Sequence, residues 1–413
     1  MTIDLLARDG AATLSAERWR TPARYWAELS AATAHLPAPV AAIDREALSY
    51  NALDMMVRAG GVPIRVASKS IRVREVLDAV LRLPGYRGIL AFTLAEALWL
   101  SAGSDDVVVG YPTADRQSLA RLIADESAAA RITLMVDDPA QLDLIDAVAG
   151  PSARTELRVA LDVDASWRAP GLGHVGVHRS PLHTAQDAAG LARLVAERPG
   201  FRLVGLMMYE AQIAGQPDAA GAEDAVIRWM QRRSAAELRE RRAEVVERVR
   251  EVAHLDFVNG GGTGSLESTA ADLAVTELTA GSGLLAGHLF DGYRAFDPAP
   301  AAGFALDVVR RPAPDIATVL GGGWVASGPA GDSRLARPVW PAGLRMLPRE
   351  GAGEVQTPLR GPAAMHLAVG DRVWFRHAKS GELAERVAEF ALVSAGAIVD
   401  RIPTYRGEGM AFL

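Results

Sequence analysis

From residue 39 onward the hydrophobic pattern is rhythmic. Short apolar runs rich in β-branched residues recur at 39–44, 64–68, 88–92, 107–112, 131–137, 156–164, 201–209, 255–261 and 277–283. Between most of them lie Ala-, Leu-, Arg- and Glu-rich stretches with helical spacing. In 73–83, for example, Val73, Val76, Leu77, Val80 and Leu81 share one face. The runs are continuous rather than alternating, as in parallel strands covered on both sides. With the first run as an extra strand, eight β/α units remain over about 220–250 residues. That pattern predicts an α/β fold, a (β/α)8 TIM-type barrel. A doubly wound open sheet is the structural alternative, but it needs a Gly-rich dinucleotide loop after its first strand, and none stands there.

The flanks read differently. Residues 1–38 are polar and Ala-rich and predict an N-terminal helical arm carrying Trp19, Tyr25 and Trp26, broken by Leu36-Pro-Ala-Pro. The segment 219–254 is densely charged and predicts one solvated helix laced by i,i+4 ion pairs. From about Phe304 helical periodicity fades, Gly and Pro become frequent, and short runs at 372–376 and 390–393 predict strands. The expected organisation is an arm over 1–38, a barrel over 39–297 and a C-terminal β-domain over 298–413.

Composition narrows the chemistry. The chain has 413 residues, with 44 Lys and Arg against 50 Asp and Glu, a net charge of −6. No basic face for nucleic acid or an anionic membrane follows from that balance. Cysteine is absent, which excludes disulfides, thiolate nucleophiles and Cys-ligated metal. No apolar run approaches the roughly 20 residues that span a bilayer, and residues 1–10 carry acids without an apolar core, unlike a secretory signal. The expectation is a soluble cytoplasmic protein.

Lys69 is the first candidate for chemistry. It ends the first barrel strand in Arg65-Val-Ala-Ser-Lys-Ser, and barrel active sites gather at the carboxyl ends of strands. A lysine there suits a Schiff base; pairing with a carboxylate at the barrel mouth is the alternative. Asn259-Gly-Gly-Gly-Thr-Gly-Ser follows the seventh strand and Gly281-Ser-Gly ends the eighth. Consecutive glycines let backbone N–H groups converge on an anion, and phosphate sites recur at these two strands.

These pieces together resemble the fold-type III pyridoxal-phosphate enzymes, the alanine racemase-like group, and within it the D-threonine aldolase and D-serine dehydratase branch. The resemblance rests on Ile43-Asp-Arg-Glu-Ala-Leu-Ser-Tyr-Asn, Ala67-Ser-Lys-Ser, Leu161-Asp-Val-Asp, Gly176-Val-His-Arg-Ser-Pro, Phe257-Val-Asn-Gly-Gly-Gly-Thr-Gly and Gly370-Asp-Arg-Val-Trp-Phe-Arg-His-Ala-Lys-Ser-Gly-Glu. It implies that Lys69 binds pyridoxal 5'-phosphate as an imine. Gly261, Gly262, Thr263, Gly281, Ser282 and Gly283 would then cradle the phosphate. Arg72 is a further candidate for holding the cofactor, and Arg179 for the substrate carboxylate or the cofactor phenolate. A homodimer and a small amino-acid substrate are also implied.

Three departures qualify the likeness. Thr279 falls where alanine racemases place an arginine against the pyridine nitrogen. His377 matches a metal-ligating histidine of the branch, but its partner position is Lys379, and an ammonium is not a ligand for a divalent metal. Either the metal is lost, or Asp371 or Glu382 substitutes, or the lysine replaces its charge. Third, the turn after the sixth strand holds Tyr209, Glu210 and Gln212 where relatives tend to have histidine; these residues either face the cofactor or pack. His174, His178 and His288 are open cases. The implied reaction is cleavage or dehydration of a β-hydroxy, D-configured amino acid, with Lys69 as one base and His377 as the base for the β-hydroxyl. The damaged ligand pair favours the aldol route. Racemisation is the main rival and would need a second base, for which Tyr405 is the β-domain's one tyrosine; a non-catalytic cofactor-binding protein is the rival outside enzymes.

Overall fold

The computed structural model describes residues 3–6, 17–169, 171–379 and 381–413; positions 1–2 and 7–16 of the expected arm lie outside them. The chain forms two compact units. One comprises Met55–Lys69, Leu81–Gly281 and Phe412–Leu413, the other Met1–Asp54, Ser70–Val80 and Ser282–Ala411.

Strand β1 (Val40–Asp44) precedes the barrel. The barrel strands are β2 (Ile64–Ala67), β3 (Tyr86–Ala91), β4 (Val107–Val109), β5 (Ile132–Val136) and β6 (Leu157–Asp162). After a small hairpin, β7 (Trp167–Ala169) and β8 (Gly173–Val175), come β9 (Phe201–Met208), β10 (Phe257–Gly260) and β11 (Glu277–Ala280). All eight barrel neighbours are parallel, and β11 pairs back onto β2 to close the ring. The expected barrel is therefore the observed one. Its helices start where the sequence supplies caps: Thr93 Oγ1 accepts the Glu96 N–H, and Asp138 and Thr184 each begin a capping box.

Inside the ring, Leu90, Val108, Met135, Ala160, Val204, Met207 and Phe257 form an apolar cluster. Beside it lies a charged group. The Arg65 guanidinium, 2% exposed, donates to Glu277 at 2.8 and 2.9 Å and to Asp106 at 2.9 and 3.0 Å. Burial works against its charge, but the two carboxylates outweigh burial and hold its pKa above the ordinary value. The guanidinium passes the backbone of β3 at Gly88 (φ 67°), where a Cβ would run into it.

The long charged segment forms helix Asp224–Arg250, but not the wholly solvated one expected. Leu238, Val245, Val246 and Val249 are buried, and Arg242 is 2% exposed, where it meets Asp272 at 2.6 Å and Glu210 at 3.2 Å. Burying that guanidinium is tolerable because carboxylates from two other elements surround it.

The second unit is built on a nine-stranded sheet. Its later strands are β12 (Ala302–Ala313), β13 (Ile316–Leu320), β14 (Arg337–Trp340), β15 (Arg345–Met346), β16 (Gln356–Arg360), β17 (Arg372–Arg376), β18 (Glu389–Ser394) and β19 (Ala397–Pro403). The extra strand β1 belongs here: it runs antiparallel to β12 and parallel to β18, with all five residues buried. The described part of the arm includes helix Pro22–Ala32, whose Tyr25, Trp26 and Leu29 pack with Val40, Ala42 and Trp374. No described helix is long and apolar enough to cross a membrane.

The Arg65 cluster generates the first prediction. Arg65→Met leaves Glu277 without its charge partner inside the ring and is expected to lower stability by about 3–5 kcal/mol. Urea unfolding followed by circular dichroism measures it; a loss below about 1 kcal/mol would mean that the pair does not hold the barrel closed.

Candidate active site at the carboxyl ends of the barrel strands

Lys69 sits in a short turn, Ser68–Ser70, immediately after β2. The Ser68 hydroxyl donates to the Leu90 carbonyl at 3.1 Å and pins that turn to β3. The Lys69 Nζ donates to the Tyr111 hydroxyl at 2.5 Å. Tyr111 follows β4 as Lys69 follows β2, so the strand-end signal that singles out Lys69 applies to it as well, and the sequence reading passed it over. Burial raises the Tyr111 pKa, but the Lys69 charge and hydrogen bond, with Arg179, outweigh burial and bring it below the ordinary phenol value.

Arg179 lies over two aromatic faces, 5.6 Å from the Tyr111 ring centroid and 4.9 Å from that of Tyr209. Tyr209 directly follows β9, and burial pushes its pKa up to about 12, so it stays a phenol at neutral pH. Asp162 ends β6. Burial raises its pKa to about 7; Arg179 opposes this, and Asp137 and Asp164 add to it. A cavity of about 280 Å³ opens beside Tyr111, lined by Phe92, Leu94, Pro112 and Phe412 among others. Asp115 also lines it, but its carboxylate already accepts from Gln117, Ser118 and the Ser118 hydroxyl.

The glycine loop after β10 is tightly supported. Glu210, 2% exposed, accepts from the Gly261 N–H at 3.0 Å, from Arg242 at 3.2 Å and from the Thr269 hydroxyl. The Gly262 N–H donates to the Ser265 hydroxyl at 3.2 Å, and the Thr263 carbonyl accepts from Arg58 at 2.7 Å. Two amides expected to face an anion are therefore taken up within the protein. Gly261 and Gly262 shape the loop more than they supply donors. A Cβ on Gly262 would come within 2.9 Å of Ala214 Cβ and 3.3 Å of the Tyr209 ring, and one on Gly281 within 2.6 Å of the Ala67 carbonyl. Ser282 and Gly283 begin a four-residue helix in the other unit.

Glu210 and Gln212 take the packing role. Gln212 Nε2 donates to the Ala165 carbonyl at 2.7 Å and to Ser234 at 2.8 Å. The Thr279 hydroxyl is bonded to the Asn259 side chain, whose amide also donates to Glu277 at 2.9 Å. The Arg72 guanidinium pairs with Glu385 at 2.5 Å, and both residues lie in the unit that does not contain Lys69. His174 and His178 stack on each other at 3.9 Å near the β7–β8 hairpin.

His377, at the end of β17, is 0% exposed and belongs to the other unit. Burial lowers its pKa, with Arg376 adding to the effect and Glu382 and the Ala302 backbone opposing it, so the ring is neutral at pH 7. Lys379 stands two residues on, and its N–H donates to Glu382 at 2.7 Å; Asp371 accepts from the Ala368 N–H at 2.7 Å. Among the described residues no three His, Asp or Glu side chains gather to hold a metal. The donor set does not fit the branch's metal pair, because an ammonium occupies one of its two positions. His288 bonds the Leu335 carbonyl at 2.8 Å and its pKa falls to about 4, chiefly through burial.

The barrel-mouth residues fit pyridoxal phosphate: a strand-end amine held by a phenol, and a loop whose glycines leave no room for a Cβ. The comparisons point the same way. A family model described as alanine racemase, N-terminal domain, matches residues 43–276. D-threonine aldolase of Arthrobacter sp is 28% identical over 274 residues, 62% of this chain; the match spans 62% of the aldolase's own length. Among solved structures, D-threonine aldolase from Filomicrobium marinum superposes with a TM-score of 0.75 at 20% identity, covering 91% of this chain and 96% of that one. D-threo-3-hydroxyaspartate dehydratase from Delftia sp. HT23 gives 0.70 at 20% identity, covering 90% and 98%. At such identity these structures speak for the fold.

Asp162 yields a pH prediction. Its raised pKa means that the folded protein keeps a proton which the unfolded chain releases near pH 4. The associated stability is full below about pH 4 and is lost as pH rises to about 7. Asp162→Asn is expected to stabilise the protein by roughly 1–3 kcal/mol at pH 8 and hardly at all at pH 4. Equal shifts at both pH values in urea unfolding would reject this origin.

Proposed function

The chain belongs to the alanine racemase N-terminal domain family, and from that premise we propose that it is a pyridoxal-phosphate-dependent lyase acting on a β-hydroxy amino acid of D configuration. The observation that carries the reading is Lys69 at the end of the first barrel strand, 2.5 Å from Tyr111, in the same ring as the glycine loop of the seventh strand. The sequence likeness to a D-threonine aldolase supports the substrate class.

Lys69 holds the cofactor, whose ring supplies an electron sink for charge developing at Cα. Thr263 and Gly281, with Ser282 and Gly283, serve its phosphate, and Gly261 and Gly262 keep the loop close. Thr279, tied to Asn259, presents a hydroxyl rather than a cation to the ring nitrogen. Arg179 binds the substrate carboxylate, and Tyr209 beneath it fixes the guanidinium plane. Lys69 delivers or removes a proton at Cα on its own face. His377, neutral through burial, takes the β-hydroxyl proton. Because Lys379 stands in the metal-partner position, retro-aldol cleavage of the Cα–Cβ bond is favoured over elimination, which depends more on a polarised leaving hydroxyl. Racemisation, the rival reading, would require Tyr405 as its second base. The eight-stranded barrel carries the cofactor, the unit built on the nine-stranded sheet carries His377, and the working form is a cytoplasmic homodimer.

Protein incubated with the cofactor is expected to absorb near the visible edge, and Lys69→Ala to lose both that band and turnover. A panel of β-hydroxy D-amino acids should release an aldehyde and glycine. Oxoacid and ammonia would make the enzyme a dehydratase, an inverted enantiomer would make it a racemase, and a band without turnover would leave a binding protein. Chelation is expected to leave the rate unchanged; a loss restored by Mn²⁺ or Zn²⁺ would place a metal in the reaction. His377→Asn should lower kcat by about 10²–10⁴-fold.

A further inference from the structure

We propose that Tyr111 is the positioning residue of Lys69: its hydroxyl aims the amine and exchanges a proton with it during turnover. This rests on the reading of Lys69 as the residue that holds the cofactor. The two groups come from strand ends one strand apart, β2 and β4, and meet at 2.5 Å. A Tyr111 ring placed merely to fill space has no need to present its oxygen to an ammonium. The ring is itself held, with the Lys69 Nζ 5.2 Å and the Arg179 guanidinium 5.6 Å from its centroid. Two cations bracket one phenol.

That bracket defines the step. With the phenol ionised, the ammonium of Lys69 gives up a proton: the Nζ–H bond breaks, the Oη–H bond of Tyr111 forms, and the amine regains its lone pair. The reverse transfer starts from the protonated phenol: after the ammonium has given a proton to Cα, the Oη–H bond of Tyr111 breaks and an Nζ–H bond re-forms. The proton delivered to Cα is made up from water at the phenolate, so atoms and charge balance without an oxidant or reductant. The flanking groups that bear on the transfer are Lys69 from β2, Arg179 from the loop after β8, Asp162 from β6 and Tyr209 after β9. The first two favour the phenolate; Asp162 opposes it.

Tyr111→Phe keeps the ring and removes the oxygen, so packing and proton transfer separate. In the holoenzyme it should retain the cofactor band, lower kcat by about 10²–10⁴-fold with KM within about threefold, and slow exchange of the glycine Cα proton with D₂O, read by NMR. 3-Fluorotyrosine at 111 keeps the hydroxyl but acidifies it, and should move the alkaline limb of the kcat–pH profile to lower pH. If the Phe variant loses the cofactor, the fluorinated protein decides. An unmoved limb, or Phe-variant exchange at the unmodified rate, overturns the proposal. Absence of any cofactor band in the unmodified protein would instead sink the reading of Lys69 itself.

Discussion

A guanidinium closed inside a ring of strands is the constraint on which the molecule depends. Arg65 on the first barrel strand grips Glu277 on the eighth and Asp106 ahead of the third. Arg65 and Glu277 are buried together, and removing either leaves the other without compensation. The set therefore specifies the closing register between β2 and β11 more sharply than apolar packing would. Its effect reaches the chemistry. Glu277 also accepts from Asn259, Asn259 holds Thr279, and Lys69 stands four residues beyond Arg65, in the turn that follows the strand. One end of the strand is locked by charge, and the other presents an amine.

The glycine loop follows the same logic. Its conformation is written less in its own residues than in Glu210, a buried carboxylate that collects a backbone amide, a hydroxyl and Arg242. Arg242 in turn reaches Asp272. The loop is thus shaped by a buried carboxylate that Arg242 faces at 3.2 Å.

How much of this was legible depended on distance along the chain. Strands and helices follow from patterns a few residues long, so each of the nine apolar runs became a strand, and the barrel was readable from their rhythm. Lys69 and the glycine loops were readable because a strand end is a local feature. Arg242 was not: within its helix it is one arginine among many, and the carboxylates that bury it lie 32 residues before and 30 after. Arg72 sits beside Lys69 in sequence, yet its partner Glu385 comes 313 residues later. Tyr111 carries the same strand-end signal as Lys69, but its contact with the amine spans 42 residues and no local pattern marks it.

Strand β1 is held between β12 and β18, so its neighbours lie about 260 and 350 positions downstream. A ribosome adding about 5–20 residues per second therefore leaves this apolar strand waiting on the order of tens of seconds before the second neighbour emerges. Through that interval Val40–Asp44 is an unprotected edge of the kind that recruits other chains. Premature termination before residue 389 would make the exposure permanent, and such fragments are destined for aggregation or proteolysis rather than partial function.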